Sequence, residues 1–142
     1  MSNSQDQPKL SLPVRVYYED TDFSGTTYHV YYFKFMERAR TEWMRGLGIE
    51  LDVLHRDEGL MFVVQRAEID YLRPTRFNDR LTVTAGLRAA GRASLDFAQE
   101  IHREAEATCC CRGRVKVACV DVRTMRPQRL PEKLRAELAD VR

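Results

Sequence analysis

Glu19, Asp20 and Asp22 close a strand-like run, and Gly25 follows Asp22 within a short loop. A long helix with an aromatic face is expected to begin near Tyr28 and His29. This order brings carboxylates close to a helix N-terminus, where free backbone N–H groups and the helix dipole attract negative charge. Donors of that kind can hold a carbonyl oxygen as it becomes an oxyanion. A carboxylate across from it can attack the carbonyl or activate a water. Asp22 is the first candidate. His29, in the first helical turn, can bond a substrate carbonyl or orient Asp22. Gly25 permits a turn with φ > 0, or a close approach of a ligand to the backbone. A plainer and commoner reading also fits the residues. Asp20 and Asp22 then only cap the loop and the helix, and His29 is structural.

Other chemistries find less support. The chain has no Gly-x-Ser-x-Gly elbow and no Gly-rich phosphate loop. Gly91-Arg92-Ala93-Ser94 is too short for such a loop, though it can form a turn whose Arg meets a phosphate. Three of the four cysteines, Cys109, Cys110 and Cys111, are consecutive, with Cys119 further on, which is no secreted disulfide framework. On a regular strand Cys109 and Cys111 share one face. Their spacing lacks the pattern of a metal site, so reduced structural thiols are expected. Glu37 and Glu42 read as surface charges paired with arginines on the same helix.

The 142 residues fit one domain, and 44% hydrophobic content fits an ordinary core. The net charge of +2 (23 basic against 21 acidic residues) gives no overall bias toward nucleic acid. No apolar stretch approaches the roughly 20 residues of a membrane span. The polar start, Met1 to Lys9, lacks the apolar core of a signal peptide, so a cytoplasmic location is expected.

The elements that must position the candidates follow from pattern. Residues 1–11 read as a flexible tail, and a first strand runs from Leu12 to Tyr18. Thr26 or Thr27 can cap a helix over Tyr28–Arg45. That helix sets Tyr28, Tyr32, Phe35, Met36, Ala39, Trp43 and Leu47 on one side, an arc wide enough for a sheet to cover. A short helix over Glu50–Asp57 ends at Gly59. The period then changes to that of strands, at Leu60–Leu72, Arg80–Ala89, Ala93–Arg103 and Ala107–Val122, and a short helix spans Glu132–Ala139. One long helix followed by four strands argues for an α+β fold, an antiparallel sheet wrapped around the helix.

Val14-Arg-Val-Tyr-Tyr-Glu-Asp-Thr-Asp22, Gly25, Tyr28-His29, Tyr32 and Glu37-Arg-Ala-Arg-Thr-Glu42 together resemble the Tol-Pal-associated acyl-CoA thioesterases. These belong to the hotdog superfamily, close to the 4-hydroxybenzoyl-CoA thioesterase type. The resemblance is dense to about Leu47. It continues more loosely through Phe62-Val-Val, Tyr71-Leu-Arg-Pro74 and Cys119-Val-Asp-Val122. It implies a single hotdog domain over residues 12–142, a long central helix wrapped by a five-stranded antiparallel sheet. It also implies hydrolysis of acyl-CoA thioesters without metal or other cofactor, and active sites at the interface of a homodimer or a dimer of dimers (a homotetramer). By the same resemblance Asp22 is catalytic, His29 positions the substrate, and a backbone N–H at the helix start, of His29 or its neighbour, is the oxyanion donor. Gly25 and Tyr28 are candidate substrate contacts, and Arg92 and Ser94 are candidates for the CoA phosphates. Acyl carrier protein is a further candidate partner. The chain departs from the family at Phe23-Ser24, where many relatives carry small residues, and at Thr26-Thr27, where they carry aliphatics. The alternatives are a non-catalytic acyl-CoA or acyl-carrier-protein binding module and a hotdog hydratase or dehydratase.

Overall fold

The structure, a computed structural model, describes residues 9–139. Five strands form one antiparallel sheet: β1 (Lys9–Arg15), β2 (Leu60–Tyr71), β3 (Arg80–Ala90), β4 (Ser94–Arg103) and β5 (Thr108–Asp121), in the order β1-β3-β4-β5-β2. The helices are α1 (Val30–Gly46), α2 (Leu51–Glu58) and α3 (Glu132–Ala139). This is the helix-on-sheet arrangement of the hotdog fold. Strand β1 begins earlier than expected. Lys9, Leu10 and Ser11, read as tail, pair with Gly86, Ala85 and Thr84, while residues 1–8 of that tail lie outside the described residues.

Alternation along the strands supplies one wall of the core and the helical stripe supplies the other. Leu81, Val83, Ala85, Leu95, Phe97, Ile101 and Val115 are buried against Phe35, Met36, Ala39 and Trp43. Trp43 meets Phe97 edge-on, with ring centroids 5.0 Å apart. Gln99 is buried where α1 crosses the sheet. Its Nε2 donates to the carbonyls of Met36 (3.0 Å) and Thr84 (3.2 Å), and its Oε1 accepts from Arg40 (3.0 Å). With all these groups bonded, a polar residue is tolerated inside. Gly113 of β5 lies under Met36: a Cβ there would stand 3.0 Å from the Met36 sulfur and 3.2 Å from the Glu68 carbonyl.

Two expectations fail locally. Leu47 is only partly buried and Tyr28 is 41% exposed, whereas Met44, outside the expected stripe, is buried. The cysteine run does not alternate either. Ile101 pairs with Cys111 but His102 pairs with Cys109, so Cys110 is the extra residue of a β-bulge. Cys110 and Cys111 are therefore both buried, and Cys109 is half-exposed on the outer face.

Candidate active site

Beyond β1 the chain turns back on itself in short steps. Val16 is buried and ties the turn to the β2–β3 connection: its N–H donates to Asp79 O (3.0 Å) and its carbonyl accepts from Asn78 N–H (2.8 Å). Residues Tyr18–Asp20 make one 3-10 turn. Asp20 is buried, and its groups serve that turn: Oδ2 accepts from Tyr17 N–H (2.8 Å) and the carbonyl accepts from Tyr28 N–H (2.8 Å). Asp22 is exposed and opens a small hairpin. Thr21 bridges Thr27, Asp22 N–H donates to Thr26 O (3.0 Å), and Phe23-Ser24-Gly25 form the loop. Gly25 has φ +86, the left-handed position that a three-residue hairpin loop assigns to glycine. The two aspartates therefore differ in kind, one committed to the turn and the other facing solvent.

The Asp22 carboxylate is held from one side. Ser24 donates twice to Oδ1, from its backbone N–H (2.9 Å) and from its hydroxyl (2.5 Å). The Ser24 hydroxyl, then its N–H, and to a smaller degree the nearby His29, hold the Asp22 carboxyl below its ordinary value of 3.8. Both hydrogen bonds converge on Oδ1, which leaves Oδ2 for a reacting group.

The start of α1 is uncapped. The helix begins at Val30 rather than Tyr28, with His29 as its N-cap residue and no side-chain cap. Thr27, an expected cap, is buried and used elsewhere. Its N–H donates to Thr75 O (2.7 Å) and its hydroxyl lies 2.6 Å from that of Thr75, which is itself 3.0 Å from the Tyr32 hydroxyl. Among the described residues the N–H groups of His29 and Val30 have no backbone partner, so they are donors available to a ligand. A cleft of about 360 Å³ joins Asp22, Thr26, His29, Tyr32, Tyr71 and Arg73. The His29 ring packs against Tyr28 and Tyr71, with centroids 4.7 and 6.1 Å apart. A carbonyl in this cleft can have its oxygen on the helix-start donors and its carbon toward Asp22.

The structure thus brings together Asp22, Gly25 and His29, with Tyr28 at the edge through its contact with the His29 ring. Arg92 and Ser94 are not among them. They occupy the β3–β4 turn, where Ser94 pairs with Ala118, whereas the end of β4 nearest Asp22 is Arg103. At 3.3 Å per residue the two ends of β4 are roughly 30 Å apart. Tyr71 and Arg73 also line the cleft, and in the sequence only the resemblance at Tyr71-Leu-Arg-Pro74 points to them; nothing there points to Thr75, which bonds Thr27 beneath the hairpin. In the sequence Ser24 stands out only as a departure from the family pattern. A second cleft, of about 440 Å³, crosses the outer sheet face between Glu68, Arg88 and Arg112 and includes none of the hairpin residues.

The cysteine spacing gave Cys109 no histidine neighbour, yet β4 supplies His102 and Glu100, whose ligand atoms lie with the Cys109 sulfur inside 4.8 Å. Glu100 already bonds His102 (2.8 Å) and Arg112 (3.2 Å), and Arg112 reaches the Cys109 sulfur at 3.9 Å. The guanidinium supplies the positive charge that a cation would bring, so this cluster reads as an ion-pair group rather than a metal centre.

Comparison with known proteins bears on the chain as a whole. The family model of the thioesterase-like superfamily matches residues 16–138. The acyl-CoA thioesterase YbgC of Haemophilus influenzae is 40% identical over 127 residues, 89% of this chain and 92% of the relative. The acyl-CoA thioester hydrolase YbgC of Escherichia coli O157:H7 is 41% identical over 125 residues, 88% of this chain and 92% of the relative. Among solved structures, a probable thioesterase from Bartonella henselae superposes with a TM-score of 0.82 at 32% identity, covering 87% of this chain and 100% of that one. A 1,4-dihydroxy-2-naphthoyl-CoA thioesterase from Synechocystis superposes with a TM-score of 0.87 over 94% of this chain and 98% of that one; at 20% identity it bears on the fold alone.

Proposed function

The chain belongs to the thioesterase-like superfamily, and from that premise we propose that it hydrolyses acyl-CoA thioesters to the free acid and CoA through Asp22. The observation that carries the reading is an exposed carboxylate, bonded by Ser24, in one cleft with an uncapped helix start. The thioester oxygen accepts hydrogen bonds from N–H donors at the start of α1, and His29 positions the acyl group. Asp22 Oδ2 then acts in one of two ways. It adds to the carbonyl carbon, expels the CoA thiolate and leaves an acyl-aspartyl anhydride that water hydrolyses. Alternatively it takes a proton from the water that attacks directly. Single turnover in ¹⁸O-water separates the routes, since label enters the Asp22 carboxylate only in the first.

Within the superfamily we propose that the chain is one of the Tol-Pal-associated acyl-CoA thioesterases, a reading that rests on the resemblance of its hairpin residues. Acyl-carrier-protein thioesters are the second substrate class to test. We propose a homodimer formed along β2. This twelve-residue edge strand leaves Val64 56% and Tyr71 48% exposed, and an uncovered edge invites pairing. Pairing of dimers would give a tetramer, and light scattering in solution counts the subunits. Arg92 and Ser94 lie too far from Asp22 on the same chain to serve one site, so they can reach CoA phosphates only in a site completed by another subunit. Four free cysteines suit a reducing compartment, and we propose that the enzyme acts in the cytoplasm.

The decisive test is Asp22→Asn over a panel of short, long and aromatic acyl-CoAs. Turnover should fall by about 10²–10⁴-fold with unfolding unchanged. Near-native turnover would remove Asp22 from the mechanism. Binding by the unmodified protein without hydrolysis across the panel would favour a non-catalytic module.

A further inference from the structure

We propose that Ser24 is a positioning residue for Asp22, clamping Oδ1 from two donors so that Oδ2 alone is presented to the substrate. The inference rests on the reading of Asp22 as the reacting carboxylate. Its geometry is specific. Ser24 N–H and Oγ reach the same carboxylate oxygen at 2.9 and 2.5 Å, and the second distance is that of a charge-assisted O–H···O⁻ bond. The Ser24 oxygen also lies 2.8 Å from Thr26 Oγ1 and 3.4 Å from Thr26 N. A serine hydroxyl has one proton, here given to Asp22, so Thr26 must be the donor in the Ser24–Thr26 pair. The result is a directed chain, Thr26 to Ser24 to Asp22, in which each bond polarises the next.

The chain is local to the hairpin. Its members lie within five consecutive residues, and Thr26 bridges Arg76 on the β2–β3 connection, which anchors the far end. Any residue but proline at position 24 would keep the backbone donor, but only serine or threonine adds the hydroxyl at this reach. Without it the exposed Asp22 side chain regains rotation about its terminal bond, and its two oxygens become interchangeable. The same hydroxyl is the leading cause that holds the Asp22 carboxyl below its ordinary value, so the clamp favours both the direction and the charge of the reacting group. Phe23, which also departs from the family pattern, is fully exposed at the loop tip and takes no part in the clamp.

The test uses Ser24→Ala, Ser24→Thr and Asp22→Asn in the full chain. The Asp22 carboxyl is followed by ¹³C NMR titration, assigned by its loss in Asp22→Asn, beside steady-state kinetics on one acyl-CoA. In Ser24→Ala the titration should move upward, kcat should fall about ten- to a hundredfold, and KM should stay within about twofold, since the clamp touches the reacting group and not the substrate. Ser24→Thr should restore both titration and kcat. An unchanged Asp22 titration in Ser24→Ala, or a loss of kcat that threonine does not rescue, overturns the role of Ser24 while leaving Asp22 catalytic. Full activity of Asp22→Asn instead overturns the catalytic reading, and the role of Ser24 with it.

Discussion

Replacement of Thr75 by valine tests whether the hairpin is held in place from below. Thr75 is fully buried, and its hydroxyl joins those of Thr27 (2.6 Å) and Tyr32 (3.0 Å), themselves 5% and 4% exposed. Valine keeps the shape and removes the oxygen. Thr27 then loses a buried partner, which costs about 1–3 kcal/mol. Tyr32 loses less, about 1 kcal/mol, because its oxygen still accepts from Thr75 N–H at 3.3 Å. The expected destabilisation is about 2–4 kcal/mol. At about 4 °C per kcal/mol for a chain of this size, Tm should fall by about 8–16 °C. Because Thr27 leads directly into the helix start, kcat should also fall by tenfold or more. Thermal and urea unfolding of Thr75→Val, Thr27→Val and the double variant give the energies, with kcat measured well below each Tm. The double variant should be less destabilised than the sum of the singles, since removing both partners leaves no orphan between them. A single variant within about 0.5 kcal/mol of the unaltered protein, with kcat unchanged, would refute the argument.

Two further outcomes follow from the ionisation of particular groups. Ser24 holds the folded-state Asp22 carboxyl below its ordinary value of 3.8, so the midpoint of its protonation lies below that pH. An acid limb of kcat/KM assigned to Asp22 should therefore lie below 3.8 and shift upward in Ser24→Ala; a limb near pH 6 that Ser24→Ala does not move would belong to another group. Burial pushes the Cys111 thiol up to about 12 and that of Cys119 to about 11, and it raises Cys110 as well. These thiols remain protonated and covered at pH 8, whereas Cys109 is half-exposed. Ellman's reagent should titrate one thiol quickly in the folded protein and all four in denaturant. Rapid release from two or more folded thiols would contradict the bulge at Cys110.

Much of the architecture was legible because it is periodic. Alternation set β3, β4 and β5 to within one residue of their expected starts and ends, and Glu132–Ala139 forms a helix as read. Helix starts were less legible, because a cap is decided by competition. Thr27 has the right side chain to cap α1, but its hydroxyl finds Thr75, 48 residues away, and the helix begins later without a cap. The cysteine run misled for a similar reason. Alternation assumes an unbroken ladder, and a bulge reverses the facing of every residue on one side of it.

The sequence by itself determined the local chemistry of the site. A carboxylate, a left-handed glycine and a helix start fall within a dozen residues, and short chains of covalent geometry can place such groups together only in a few ways. It already put Asp22 ahead of Glu19 and Asp20, by its place before the helix and by the family resemblance. The tertiary structure supplied the physical difference between the two aspartates, by turning Asp20 inward onto Tyr17 N–H and leaving Asp22 outside with Ser24. It alone brought Tyr71, Arg73 and Thr75 under the hairpin, and it set Arg92 and Ser94 at the far end of a ten-residue strand. The physical reason is separation along the chain. Contacts among residues 20–30 follow from bond lengths and turn types, whereas contacts across fifty residues depend on the order in which the strands pair.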